Sequence, residues 1–115
     1  MKKLPILLLL GILSACDYHL RSEPPLHQAA YKGDVAQLKL LIKQGHSVHS
    51  LNSEGATPLH WAAFKGQADA AKLLLRYGAN VNARTTKGST PLRLATTHKK
   101  EQVISLLKRH GGVIE

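Results

Sequence analysis

The sequence predicts an all-α solenoid built from about three stacked helix-turn-helix units. Segments that begin at Pro25, Pro58 and Pro91 are similar to one another, and the step between them is 33 residues each time. A fixed period of this size indicates one supersecondary unit stacked on copies of itself. The residues that recur in phase are Leu26, Leu59 and Leu92; Leu41, Leu74 and Leu107; Gly45, Gly78 and Gly111; and Val48, Val81 and Ile114.

The middle unit shows why each unit begins with a helix. Thr57 is a good N-cap, and Pro58 suits the first helical position, where a missing N–H costs nothing. The first helix is predicted from Pro58 to Lys65, and Gly66 can adopt the left-handed conformation that ends it. The residues predicted on its packed face are Leu59, Ala62 and Ala63.

A second helix is predicted in the same unit, from Ala68 to Tyr77, with Gly78 ending it. The polar stretch from Asn80 to Ser89 then forms a turn-rich loop before the next unit. The residues predicted to be buried on the second helix are Ala71, Leu73 and Leu74.

The middle unit resembles the ankyrin repeat. Its stretch ATPLHWAAFKGQADAAKLLLRYGANVNA matches the family pattern almost throughout, including Thr57-Pro58-Leu59-His60. The resemblance covers residues 24–115, in repeats of about 24–55, 56–88 and 89–115. It implies a pair of antiparallel helices per repeat, with short β-turn fingers between repeats. The residues with structural roles by this resemblance are Thr57, Pro58, His60, Gly66 and Gly78.

The outer repeats depart from the family pattern at the start of their first helices. A histidine three residues after the N-cap can bond back to it and fix the helix start, as expected for His60. Pro24 replaces the threonine in the first repeat, so His27 lacks the hydroxyl that Thr57 can offer His60. In the third repeat Arg93 replaces the histidine itself.

Another departure falls at the end of the first helix of the last repeat. Lys99 stands where Gly33 and Gly66 stand. Because a left-handed lysine costs about 1 kcal/mol, we expect this turn to be reshaped. Atypical end repeats are expected, and three repeats is about the minimum for independent stability. We therefore expect a folded domain of modest stability.

The N-terminal segment has the layout of a secretory signal peptide. Lys2 and Lys3 provide a basic start, and residues 4–13 form an uncharged apolar run. As a helix this run would reach only about 15 Å, half of a bilayer's hydrocarbon thickness. It ends in Leu-Ser-Ala-Cys, which resembles the bacterial lipobox, whose cysteine is lipidated and becomes the first mature residue. We predict a signal peptide over residues 1–15, lipidation of Cys16 and a tether over residues 16–23.

Two other interpretations of this segment stay open: ordinary signal cleavage with Cys16 as a bystander, and an uncut anchor. The lipobox resemblance implies three acyl chains on Cys16, and two chains already give stable anchoring. The expected location is the bacterial envelope, with the domain facing the periplasm. Asp17 resembles the signal that keeps lipoproteins in the inner membrane of enteric bacteria.

Composition narrows the range of partners. The chain has a formal net charge of +9, and removal of residues 1–15 leaves +7 on a domain-sized chain. A basic exported domain could meet acidic proteins or the anionic phospholipid beside its anchor. Nucleic acid is not expected, because no stretch alternates basic residues with stacking aromatic rings. We expect a monomer with a protein partner.

The sequence contains no recognisable catalytic motif. It lacks a Gly-x-Ser-x-Gly elbow, a His-Glu-x-x-His motif and a phosphate-binding glycine loop. His46 and His49 have a spacing seen in metal sites, but no suitable cysteine or carboxylate accompanies them. Solvated loop histidines are the favoured interpretation. We predict a non-enzymatic protein without a cofactor or metal.

By resemblance, ankyrin domains bind partners with the fingertips and the inner face of the first helix. Tyr31 and Phe64 occupy the same repeat position, and each is followed by a lysine, a combination enriched in hot spots. The alternative is that Phe64 only covers the adjacent helix. Trp61 is expected to be partly buried. The predicted partner-binding residues are Tyr31, Lys32, Gln44, Ser53, Glu54, Phe64, Lys65, Tyr77, Thr86, Lys87, Thr97 and His98, with Ala56, Ser89 and His110 beside them.

The sequence favours a membrane-anchored module that binds a protein on a preorganised surface. A narrower hypothesis is an immunity protein that neutralises an envelope-targeting toxin, such as a phospholipase, by covering it. The alternatives are an accessory factor for an envelope enzyme and a protein that binds anionic lipid. The basic residues that would face lipid are Lys39, Lys43, Lys72, Arg76, Lys108 and Arg109 of the second helices, although such residues are usually solvated.

Overall fold

A computed structural model describes residues 22–115, which form six α-helices in three consecutive pairs. The helices are α1 (Pro25–Lys32), α2 (Val35–Lys43), α3 (Pro58–Lys65), α4 (Ala68–Arg76), α5 (Pro91–Thr97) and α6 (Glu101–Arg109). No strand is present between residues 22 and 115, so the predicted all-α solenoid of three repeats is confirmed. The predicted signal peptide, Cys16 and the tether up to residue 21 lie outside the described residues.

Helix α3 begins with a reciprocal cap. The Thr57 hydroxyl accepts a hydrogen bond from the His60 backbone N–H at 3.4 Å, and His60 Nδ1 accepts one from the Thr57 backbone N–H at 3.0 Å. The pair satisfies two backbone donors that a helix start would otherwise leave free. Thr90 caps α5 by accepting from the Arg93 N–H at 3.2 Å. Helix α1 follows Pro24 and has no side-chain cap.

The helix boundaries agree closely with the sequence prediction. Helix α3 has the predicted bounds, and Gly66 follows it with a φ of 79°. Helix α4 ends at Arg76, one residue earlier than predicted, because Tyr77 is its C-cap and Gly78 then takes a φ of 91°.

The expected reshaping of the turn after α5 is wrong. Lys99 adopts the left-handed conformation itself, with a φ of 56°, and is the one non-glycine residue of the described range with positive φ. Its N–H donates to Thr96 O at 3.1 Å, and the Lys100 N–H donates to Ala95 O at 2.8 Å. Equivalent bonds end α3, where the Gly66 N–H donates to Ala63 O and the Gln67 N–H donates to Ala62 O. The turn therefore keeps the repeat geometry, because these bonds and the docking of α6 outweigh a strain of about 1 kcal/mol.

The core lies between two layers of helices. Helices α1, α3 and α5 pack side by side, and α2, α4 and α6 form the layer behind them. Small side chains allow the first helices to approach closely, since Ala30, Ala63 and Ala95 are fully buried. The predicted burial is confirmed for Leu59, Ala62, Ala63, Ala71, Leu73 and Leu74.

Two tight turns project between the helix pairs, as the family resemblance implied. Finger 1 (residues 52–56) closes with a hydrogen bond from the Asn52 N–H to Ala56 O at 3.0 Å. Finger 2 (residues 85–89) closes in the same way, from the Thr85 N–H to Ser89 O at 3.0 Å. Neighbouring repeats are thus separated by short, internally bonded turns.

The two fingers are joined to each other. The backbone N–H and the hydroxyl of Thr86 both donate to Glu54 O, each at 3.0 Å. Gly55 permits this approach: its φ is 72°, and a Cβ there would lie 3.1 Å from the Thr86 backbone nitrogen. A larger residue at position 55 would be strained at this φ and would crowd Thr86.

Two buried histidines tie each repeat to the finger that follows. His27 Nε2 lies 2.7 Å from Ala56 O, and His60 Nε2 lies 2.9 Å from Ser89 O. A carbonyl only accepts, so Nε2 donates in both cases. His27 Nδ1 has no partner, because Pro24 offers neither an N–H nor a hydroxyl.

The C-terminal segment is held against the loop that precedes α5. The Thr90 hydroxyl donates to Val113 O at 2.6 Å. The Asn82 side chain accepts from the Val113 N–H at 2.8 Å and donates to Gly111 O at 3.1 Å. These side-chain bonds close the outer end of the third repeat.

Candidate partner-binding groove

An open groove, here called the finger groove, lies between the two fingers and the helices α3 and α5. Its volume is about 250 Å³. Five of the predicted partner-binding residues line it: Glu54, Phe64, Thr86, Lys87 and His98. Its other lining residues are Ala56, His60, Trp61, Thr85, Ser89 and Leu94.

A row of four rings crosses the first helices and supplies one side of the groove. Tyr31 and Trp61 have ring centroids 5.3 Å apart, and Trp61 and Phe64 have centroids 5.6 Å apart. Phe64 meets the His98 ring at 4.4 Å, and all three contacts are edge-to-face. Lys65 Nζ lies 5.2 Å from the Tyr31 ring centroid, within cation–π range. Edge-to-face ring pairs contribute about 0.5–1.5 kcal/mol each, so the row holds its rings in one arrangement.

Trp61 is partly buried, as expected, but its place in the groove was missed by the sequence analysis. It lies three positions before Phe64, a spacing that places both on one helix face, so the signal was present. Leu94 occupies the same repeat position one unit later and lines the groove too. The buried indole N–H of Trp61 has no acceptor within residues 22–115.

The two rims of the groove carry opposite charges. Glu54 on finger 1 and Lys87 on finger 2 occupy equivalent positions, 33 residues apart, and both side chains are exposed. The bonds from Thr86 to Glu54 O keep the fingers at a set separation. The groove is therefore electrostatically asymmetric from one finger to the other.

His60 lines the groove as a neutral, structural side chain. Burial lowers the pKa of His60 below its usual value of 6.5, and the hydrogen bond to Ser89 O only partly opposes this effect. Burial lowers the pKa of His27 in the same way, against the bond to Ala56 O. Both ring nitrogens of His60 are occupied by backbone partners. The arrangement suits a permanent tie rather than acid–base chemistry.

The remaining predicted residues lie at varying distances from the groove. Tyr31 and Lys65 adjoin it through the ring row. Gln44 and Tyr77 are the C-caps of α2 and α4, in the second layer, and do not line it. Three others are exposed at the ends of elements: Lys32 ends α1, Thr97 ends α5, and Ser53 lies on finger 1.

The second helices present a basic surface on the other side of the molecule. Lys39 and Lys72 occupy equivalent repeat positions, as do Lys43, Arg76 and Arg109. Together with Lys108 these residues are all exposed. No group of three or more His, Cys, Asp or Glu side chains that could hold a metal ion occurs between residues 22 and 115.

The stacked helix pairs and the groove between their fingers define a helical-repeat binding module. The chain belongs to the ankyrin-repeat family: the family model described as ankyrin repeats (3 copies) matches residues 8–114, which include all six helices. Ankyrin repeats are generally protein–protein interaction modules and are typically non-enzymatic. No curated protein matches the chain.

Proposed function

We propose that the protein is a non-enzymatic module that binds a segment of a partner protein in the finger groove. The observation that supports this role most directly is the apolar side of the groove, where Trp61 and Phe64 stay partly open between two polar rims. Aromatic side chains in the centre of a patch, surrounded by polar groups, are typical of binding hot spots.

The rigidity of the groove supports the same role. Thr86 joins the fingers to each other, and His60 ties finger 2 to α3. A groove that is already ordered loses little conformational entropy when a partner binds, so more of the contact free energy contributes to affinity.

Co-purification from the native host tests this role. The intact chain, tagged at its C-terminus, is captured from detergent-solubilised membranes and washed at low and high salt. We expect one stoichiometric protein that survives high salt and is lost from a Tyr31→Ala, Phe64→Ala variant. The matched control is Lys43→Ala, Lys108→Ala on the second helices, and circular dichroism checks that both variants fold. A partner that the groove variant keeps and the control loses would contradict the proposed site.

We also propose that lipidation of Cys16 holds the module on the periplasmic side of a bacterial membrane, and on the inner membrane where enteric sorting rules apply to Asp17. The support is the sequence layout before Cys16. Within the described range no helix combines the length and apolarity needed to cross a membrane. Metabolic labelling with palmitate should mark the wild-type chain and leave Cys16→Ser unlabelled. Equal labelling of both chains would contradict the anchor.

The narrower proposal is that the partner is an envelope-attacking toxin, such as a phospholipase, and that the protein acts as its immunity protein. An anchor beside the threatened membrane would suit this task. An equimolar amount of the protein should then inhibit the hydrolytic activity of the recovered partner. A partner whose activity rises on binding would favour the accessory-factor alternative instead.

The basic surface of the second helices supports a second candidate role, attachment to anionic phospholipid. Co-sedimentation of residues 22–115, which contain all six helices but not the proposed lipid anchor, with phosphatidylglycerol vesicles should then fall steeply as salt is added. The Lys43→Ala, Lys108→Ala variant should bind these vesicles less well, and Tyr31→Ala, Phe64→Ala should bind unchanged. Equal binding to zwitterionic phosphatidylcholine vesicles would exclude this role.

A further inference from the structure

We infer that the finger groove selects a partner segment in which a large apolar side chain lies beside an acidic residue, with the carboxylate facing Lys87. This specificity rests on the protein-binding role proposed above. It is supported by the apolar side of the groove, by the opposite charges of the rims, and by the absence of acidic residues from the first helices.

The apolar side of the groove has room for one large side chain. Trp61, Phe64 and Leu94 line it, and all three are only partly buried by their own neighbours. A cavity of about 150 Å³ with aliphatic and aromatic walls holds a benzene molecule. The finger groove, at about 250 Å³, can therefore hold an aromatic or large aliphatic side chain together with part of its backbone.

The rims determine on which side of that apolar residue a carboxylate can lie. Glu54 repels a carboxylate at finger 1, and Lys87 attracts one at finger 2. Spreading of the fingers to relieve a mismatch would break the two bonds from Thr86 to Glu54 O. A segment with carboxylates on both sides of its apolar residue meets repulsion at one rim.

The first helices extend the preference for an acidic partner beyond the groove. Helices α1, α3 and α5 contain no aspartate or glutamate. Each carries an exposed basic residue: Lys32 on α1, Lys65 on α3 and Arg93 on α5. Glu54 is the one acidic residue that lines the groove, so the surrounding charge attracts a segment with net negative charge.

Selection from a random peptide library displayed on phage tests this specificity without knowledge of the natural partner. The bait is the intact chain, purified in mild detergent, and the matched baits are Lys87→Glu, Phe64→Ala and Lys108→Glu. For the wild type we expect enrichment of peptides with an aromatic or large aliphatic residue next to aspartate or glutamate. Lys108→Glu, on the second helices, should select the same peptides.

The groove variants should change the selection in different ways. Lys87→Glu should lose the acidic preference and bind the best wild-type peptide about tenfold more weakly, as measured by fluorescence anisotropy. Phe64→Ala should lose the apolar preference and bind the same peptide at least tenfold more weakly. Circular dichroism checks that each bait is folded.

The opposing outcomes separate this inference from the proposed function. Peptides that require Phe64 but carry basic or uncharged neighbours would overturn the inference and leave the groove as the protein-binding site. Acidic peptides that bind Lys87→Glu as well as the wild type and fail on Lys108→Glu would place binding on the second helices. That result, or the absence of any peptide that depends on Phe64, would overturn both.

Discussion

His27 and His60 occupy the same position in neighbouring repeats but hold their helix starts differently. His60 uses both ring nitrogens, one on Thr57 and one on Ser89 O. His27 uses Nε2 alone, and its buried Nδ1 stays without a partner. A buried acceptor left unpaired costs about 1–3 kcal/mol, so the start of α1 is a weak point of the domain.

Pro24→Thr should stabilise the domain by about 1 kcal/mol. The new N–H and hydroxyl would give His27 Nδ1 the partners that Thr57 gives His60, and this removes the cost of the unpaired nitrogen. Loss of the proline also makes the unfolded chain more flexible, which cancels about 0.4–1 kcal/mol of that stabilisation. Urea unfolding followed by circular dichroism measures the change. Pro24→Ala supplies the N–H without the hydroxyl and should gain less. A Pro24→Thr domain that is less stable than the wild type would contradict the view that the absence of a cap weakens the start of α1.

Acidification should destabilise the domain through the same two histidines. Burial lowers the pKa of His27 and His60 below 6.5 in the folded state. As the pH falls through 6.5, the unfolded chain binds protons that the folded chain does not, so the free energy of unfolding decreases. The slope is at most about 1.4 kcal/mol per pH unit for each histidine.

Urea unfolding at several pH values between 7.5 and 5 measures this loss. His49→Gln, a change at an exposed loop histidine, should leave the slope unaltered. A free energy of unfolding that stays constant or rises as the pH falls below 6.5 would show that the two buried imidazoles accept protons without cost.

At the scale of the helices, most boundaries could be predicted because each has a strong local signal. The threonine-proline pair before α3 and the glycine after it determine both ends of that helix within the chain itself. The turn at Lys99 could not be predicted in this way. Its conformation is imposed by the contacts of α5 and α6 with each other, which outweigh the local preference of lysine.

Lys99→Gly should stabilise the domain by about 1 kcal/mol. Glycine adopts the left-handed conformation without the Cβ strain that lysine carries at a φ of 56°. Thermal unfolding followed by circular dichroism measures the gain. The control is Lys72→Gly, at an exposed position in the interior of α4, which should cost about 1 kcal/mol because its backbone is helical. Destabilisation by Lys99→Gly would mean that the lysine side chain makes a compensating contact.

The groove was predictable in part. The repeat phase correctly placed Glu54, Phe64 and Lys87 on neighbouring fingers and first helices, because equivalent positions recur on one side of a stack. The repeat phase gave no measure of how much of Trp61 is covered by the Tyr31 ring, because that coverage depends on packing between repeats. It placed Tyr77 at the end of the second helix but gave no sign that this position lies away from the finger groove.

For the whole molecule, the repeats should unfold as one unit. The first helices pack directly on one another, and hydrogen bonds from His27 and His60 cross both repeat boundaries. A repeat that lost its neighbour would expose its alanine-rich face to water. With three repeats near the minimum for stability, partial unfolding is costly.

Trp61 is the single tryptophan and lies in the middle repeat, so its fluorescence reports that repeat while circular dichroism reports all six helices. We expect the two urea transitions to coincide. Leu59→Ala should lower the free energy of unfolding by about 2–5 kcal/mol and shift both transitions together, since Leu59 is fully buried. Leu40→Ala, at a residue 48% exposed, should change it little. Separated transitions would contradict the single unit.

The ties from each histidine to the following finger give the array a fixed order. The middle repeat accepts a hydrogen bond from the preceding repeat at Ala56 O and donates one to the following finger from His60. A copy of the middle repeat could therefore precede or follow the original. The first repeat lacks the capping threonine, and the third has Arg93 in place of the donor. A gene duplication spanning residues 56–88 would therefore lengthen the protein by one finger and one groove, whereas duplication of the third repeat would leave a repeat boundary without a histidine donor.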